Sequence, residues 1–123
     1  MNPLDQPDHK AIDLEKALSR MGGDQIMLRD LTEIFLRESP KWLNEVETAI
    51  RESNAKLLFR AAHDIKGSVD IFGASSAAET AARLEKMGRH EDLANADEAL
   101  GALKAELVWV RQALEDYLEE SKT

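Results

Sequence analysis

Apolar residues recur at helical spacing along nearly the whole chain, and no segment alternates at the period of two that a strand requires. Ile12, Leu14, Ala17, Leu18 and Met21 predict a short helix that stops at Gly22-Gly23. Asp24 can cap a second, whose core face carries Met27 or Leu28, Leu31, Ile34 and Phe35. Ser39-Pro40 reads as an N-cap followed by proline at the first helical position, and opens a further helix with Trp42, Leu43, Val46, Ala49 and Ile50. Asn54 can cap the next, bearing Leu57, Leu58, Ala61, Ala62, Ile65, Val69 and Phe72, with Gly73 ending it. Ser76 and Glu79 have the spacing of a capping box for a helix holding Ala77, Ala78, Ala81, Leu84 and Met87. Gly88 lies near its end, and Arg89 to Ala94 form a polar loop. Asn95 and Glu98 repeat the capping-box spacing ahead of a long helix with Ala99, Leu103, Leu107, Val110, Leu114 and Leu118. The expected fold is all-α: an antiparallel four-helix bundle with short additional helices at the N-terminal end. Residues 1–11 read as a flexible lead-in and 12–120 as the helical domain.

Composition agrees with this pattern and narrows the function. A chain of 123 residues, 43% hydrophobic and 33% charged, suits one soluble domain with one core. The absence of cysteine rules out disulfides, thiol nucleophiles and cysteine-based metal sites, and fits a cytoplasmic protein. A formal charge of −8 disfavours nucleic acid and anionic lipid as partners. No apolar run approaches the roughly 20 residues that span a bilayer, and the first residues are neither basic nor apolar enough for a signal peptide.

Enzyme constellations are missing. There is no Gly-rich phosphate loop, no G-x-S-x-G elbow and no Glu-x-x-His pair. His9, His63 and His90 lack metal-ligand spacing, so no metal site is expected. His9 falls in the lead-in and His90 in a loop. His63 stands apart. At about 100° per residue the apolar stripe from Leu57 to Phe72 is about 140° wide, and His63 falls roughly 160° from its centre. Its imidazole must therefore face solvent or a partner. Lys66 and Gly67 follow at the two offsets that put residues beside it on a helix. A glycine in a helix interior costs on the order of 1 kcal/mol relative to alanine, a cost accepted where something must approach the backbone. Phe59, one turn earlier, either packs under the N-terminal helix or joins the same surface.

The run Ala62-His63-Asp64-Ile65-Lys66-Gly67-Ser68, followed by Phe72-Gly73-Ala74, resembles the signature of histidine-containing phosphotransfer (HPt) domains. The resemblance extends through Gly22-Gly23-Asp24, the Leu31 to Phe35 helix and Arg83-Leu84-Glu85. It departs from the common pattern at Ile65 and Val69, both on the core stripe, where packing rather than chemistry changes. The resemblance implies a phosphocarrier without catalytic power of its own. His63 would accept a phosphoryl group from a receiver-domain aspartyl phosphate and pass it to another receiver's aspartate. Lys66 would neutralise phosphoryl oxygens and Gly67 would leave them room. Glu85 is the candidate partner for His63 Nδ1, its alternative being a surface carboxylate paired with a nearby Arg or Lys. Ser68 reads as a packing or backbone-bonding residue. Phe59 and Asp70 are the candidate partner-binding residues, with the Leu31 to Pro40 region as further docking surface.

The implied partners are receiver domains of response regulators or hybrid histidine kinases. The Mg²⁺ and acidic residues would belong to the receiver, so this chain needs no cofactor, and a monomer is expected. The alternatives are a helical adaptor that binds a receiver or kinase without being phosphorylated, and the substrate domain of a histidine autokinase, which would need an ATP-binding domain. A start at Met1 without an obvious tag favours an independent protein over a piece of a hybrid kinase.

Overall fold

The computed structural model describes residues 11–122. The expected lead-in over 1–11 lies, apart from Ala11, outside the described residues, as does His9. Five helices follow in order: α1 (Leu14–Arg20), α2 (Gln25–Arg51), α3 (Ala55–Ile71), α4 (Ser75–Arg89) and α5 (Ala96–Ser121). Short connections reverse the chain between α2, α3, α4 and α5. Each packs on the next, and α5 returns to α2, which closes the antiparallel bundle. The short α1 lies on α2 and is tied to the end of α3, where Asp13 N–H donates to Phe72 O at 2.7 Å and Arg20 donates to Asp70 O at 2.6 Å.

Several helix starts follow the chain's own signals. Asp13, Asp24 and Asn54 accept from Lys16, Met27 and Leu57 N–H respectively, and so cap α1, α2 and α3. The two capping boxes do not form. α4 begins at Ser75 with buried Ala74 as its cap, which leaves Ser76 already inside the helix. Asn95 occupies the cap of α5 but makes no side-chain cap bond. Instead, Asp92 Oδ1 accepts from Ala94 N–H at 3.3 Å in the preceding turn. Arg89 is not in a loop either; it closes the last turn of α4.

The largest correction concerns Ser39-Pro40, which does not start a new helix: α2 runs without a break through Pro40. Proline has no N–H for the carbonyl four residues back, here Leu36, and an orphaned carbonyl inside a fold is costly. Arg111 of α5 supplies the missing donor. Its guanidinium donates to Leu36 O at 3.0 Å and also to Ser39 Oγ. Continuity sets the helical phase, so Leu28, Thr32, Phe35, Ser39, Val46 and Ala49 are buried. Ile34, expected on the core face, is 41% exposed. Thr32 takes an inward position because its hydroxyl donates to Leu28 O at 2.7 Å.

In α3 the expected stripe holds: Leu58, Ala61, Ala62, Ile65 and Val69 are buried, with Phe72 just beyond the helix. Phe72 meets Phe35 edge-on at 5.6 Å between ring centres, and Phe35 meets Trp42 at 5.9 Å. This apolar wall fixes the rotation of α3, and with it the direction of His63.

Candidate functional site

His63 projects from the solvent side of α3 with its side chain 60% exposed. Beneath it lies Glu85 of α4, whose side chain is only 5% exposed. Glu85 Oε2 lies 2.8 Å from His63 Nδ1, and Oε1 lies 2.5 Å from Lys66 Nζ. Arg89, one turn further along α4, brings its guanidinium to 3.7 Å from Oε2. A buried carboxylate thus has three nitrogen-bearing side chains around it, which is what allows it to be buried.

Burial pushes the Glu85 carboxyl up, but hydrogen bonds and charge from Lys66 and His63 outweigh that and hold it below its ordinary value of 4.5. Glu85 is therefore ionised near neutral pH and can only accept hydrogen bonds. His63 Nδ1 must donate to it. In a neutral imidazole that assignment leaves the lone pair on Nε2, the nitrogen directed away from Glu85.

Two glycines shape the surroundings in opposite ways. A β-carbon on Gly88 would stand 2.6 Å from Phe59 N and 2.7 Å from Ala55 O, so α3 and α4 cross there backbone to backbone. That close crossing brings Glu85 and Arg89 within reach of His63 and Phe59. A β-carbon on Gly67 would meet nothing within 4 Å. Packing within the chain does not require glycine at 67, and the space beside His63 is open. A cleft of about 320 Å³ occupies this side, lined by Lys66, Gly67, Asp70, Ala78, Glu79 and Ala82.

Charge is distributed unevenly. α5 carries seven acidic and two basic residues, whereas α3 and α4 together carry six basic and four acidic ones. The hairpin that bears His63 thus has an excess of basic residues in an acidic chain. Among the described residues no group of His, Asp or Glu side chains could hold a metal ion, and no helix is long and apolar enough to cross a membrane.

The sequence pattern of the Hpt domain matches residues 30–122. The chain belongs to the Hpt domain family. Its function is histidine phosphotransfer in phosphorelays, the work of a phosphocarrier, and Hpt domains in such relays interact with receiver domains. The fold matches the crystal structure of histidine-containing phosphotransfer protein B (HptB) from Pseudomonas aeruginosa PAO1 with a TM-score of 0.82. The two chains are 22% identical, and the match covers 89% of this chain and 96% of that one. No curated protein matches the sequence.

Within this Hpt fold, His63, Lys66 and Glu85 meet at one point, with Gly67 beside them. Phe59 does not pack under α1. Its ring stacks on His63 with 6.1 Å between ring centres and 16° between planes. Asp70 stands apart from that cluster, exposed, with its carboxylate 3.9 Å from Arg20 of α1, and reaches the His63 surface only as a lining residue of the Gly67 cleft. Ser68 donates to Asp64 O at 2.9 Å, a backbone-bonding role. Arg89 and Gly88 were not legible as site residues. The one available signal was the Glu85-Arg89 spacing, since an acid four residues before a base on a helix is a favourable pair.

Proposed function

We propose that His63 is the phosphoryl acceptor of this Hpt domain. Nε2 attacks the phosphorus of a receiver's aspartyl phosphate. The Nε2–P bond forms, the P–O bond to the aspartate breaks, and the aspartate leaves as a carboxylate. The reverse reaction delivers the group to another receiver. The observation that supports this reading is the hydrogen bond from His63 Nδ1 to buried Glu85, because in the neutral imidazole it assigns the free lone pair to Nε2 of an exposed side chain.

In this reading Glu85 orients the ring and retains the Nδ1 proton throughout transfer. Lys66 is held by Glu85 through one donor and has further N–H groups to offer to phosphoryl oxygens. Gly67 leaves the approach open. Phe59, Asp70 and the Leu31 to Pro40 region of α2, with its exposed Ile34, are the surface on which a receiver docks. The receiver contributes the Mg²⁺ and the acidic residues, so the chain carries no cofactor and has no autonomous catalysis. The working unit is a cytoplasmic monomer with its domain over residues 12–120.

The test is incubation with a phosphorylated receiver and Mg²⁺, followed by mapping of acid-labile, alkali-stable phosphate. Label is expected on the wild type and absent from His63→Gln. Label that persists in His63→Gln overturns the assignment, and binding of the receiver without any label leaves the adaptor reading in its place.

A further inference from the structure

Four side chains close a ring of contacts around one edge of His63. Glu85 Oε2 takes His63 Nδ1 at 2.8 Å and lies 3.7 Å from an Arg89 nitrogen. The Arg89 guanidinium carbon in turn lies 5.5 Å from the centre of the Phe59 ring, within the range of a cation–π contact. Phe59 completes the circuit by stacking on the imidazole.

A hydrogen bond at Nδ1 fixes one point of the imidazole but leaves the ring free to turn about that point. The Phe59 ring, near-parallel to the imidazole and offset from it, limits that turning on one side. The circuit therefore engages Nδ1 and one side of the ring. Phe59 can serve as the wall only if it is itself held. It lies half-buried in a cleft between α3 and α4, lined by Ala55, Lys56, Gly88, Arg89 and Glu91. Arg89 is suited to this place because a planar guanidinium can lie against an aromatic face while an N–H points to a carboxylate, which a lysine ammonium does less well.

We propose that Arg89 is a positioning residue of the phosphotransfer centre: by bridging Glu85 and Phe59 it holds the Phe59–His63 stack and so the direction of Nε2. The proposal rests on His63 as acceptor for its consequence in transfer, but its geometry can be tested without any phosphate. The full chain is labelled with ¹⁵N-histidine, and the ring signals of His63 are compared among wild type, Arg89→Ala, Arg89→Lys and Phe59→Leu. Phe59→Leu should remove the ring-current displacement of the His63 ring protons. Arg89→Ala should reduce that displacement and lower the share of the Nδ1–H tautomer, with Arg89→Lys in between.

Single-turnover transfer from a phosphorylated receiver should fall about two- to fivefold in Arg89→Ala, the range expected from losing an exposed cation–π contact, with receiver affinity unchanged. Arg89 is 59% exposed at the end of α4, so the variants are expected to keep the helical circular dichroism of the wild type. His63 signals in Arg89→Ala that superimpose on those of the wild type overturn the proposal. So do altered signals accompanied by an unchanged transfer rate. A wild type that takes no phosphoryl group on His63 overturns the acceptor assignment instead, because the ring signals report on Arg89 independently.

Discussion

Gly88 of α4 lies so close to Phe59 of α3 that a β-carbon on it would stand 2.6 Å from the Phe59 amide nitrogen. The contact is with backbone, which cannot swing aside as a side chain could. Gly88→Ala must push the two helices apart, and overpacking of this kind costs about 1–3 kcal/mol. The same displacement draws Glu85 away from His63. The expected outcome is a lower denaturation midpoint together with a weakened His63–Glu85 hydrogen bond, read from the His63 ring nitrogens. A Gly88→Ala protein as stable as the wild type would show that the crossing is not tight.

Gly67 gives the opposite expectation. It is helical, exposed and open on its β-carbon side, so alanine fits without any movement. Gly67→Ala should stabilise the fold by up to about 1 kcal/mol through helix propensity, a rise of roughly 4 °C in midpoint for a domain of this size. Transfer from a receiver should nevertheless slow, because the methyl group occupies space needed by the phosphoryl oxygens or the partner's loops. A thermal melt and a transfer assay on the same sample separate the two effects. Gly67→Ala that is stabilised and transfers at the wild-type rate would remove the access argument.

The contrast between these glycines marks the limit of what could be read from the chain. Helical periodicity located α3, its buried stripe and the exposure of His63, because these depend on residues within a few turns of one another. The pairing of His63 with Glu85 was legible only as one of two readings, since the depth of Glu85 depends on how closely α4 approaches α3. That approach is set by Gly88, whose sequence neighbours say nothing of Phe59. The sequence alone puts Arg89 in a loop because it follows a glycine, an ordinary stop signal that the packing of α4 on α3 overrides. The continuity of α2 is not visible in its own residues for a related reason: the donor that rescues the Leu36 carbonyl comes from Arg111, far along the chain on α5.

Two carboxylates should make opposite contributions to the pH dependence of stability. Glu85 is held below 4.5: burial raises it, but Lys66 and His63 outweigh burial. A lowered folded-state pKa gives stability that is present above 4.5 and lost as pH falls through the lowered value. Glu106 is raised, first by burial and also by Glu79, against the lowering effects of a Thr80 hydrogen bond and Arg83. Its Oε1 is buried without a hydrogen-bond partner. Its contribution is fully present below 4.5 and lost as pH rises through the raised value. Chemical denaturation from pH 3 to 7 should therefore show Glu85→Gln losing stability at neutral pH and flattening the acid side. Glu106→Gln should gain stability at neutral pH, on the order of 1 kcal/mol. Loss of stability in Glu106→Gln at pH 7 would mean that its charge is better compensated than its surroundings indicate.

The bond from Arg111 to Leu36 exists because Pro40 leaves that carbonyl without its helical donor, so the two residues should be energetically coupled. Arg111→Met keeps much of the side-chain stem but removes the donor to Leu36 and Ser39. It should cost about 1 kcal/mol, the lower end of the penalty for a buried acceptor left unsatisfied, because this bond is only part-buried. Pro40→Ala restores an amide N–H that can close the helical bond to Leu36. In that background Arg111→Met should cost less, because the carbonyl then has a partner of its own. The difference, measured by denaturation of the four proteins in the cycle, should lie at about 0.5–1 kcal/mol, the lower part of the range for residues in one hydrogen-bond network. Strict additivity would mean that Arg111 holds α5 to α2 through packing or through Ser39 alone, and that α2 tolerates Pro40 without help from another helix.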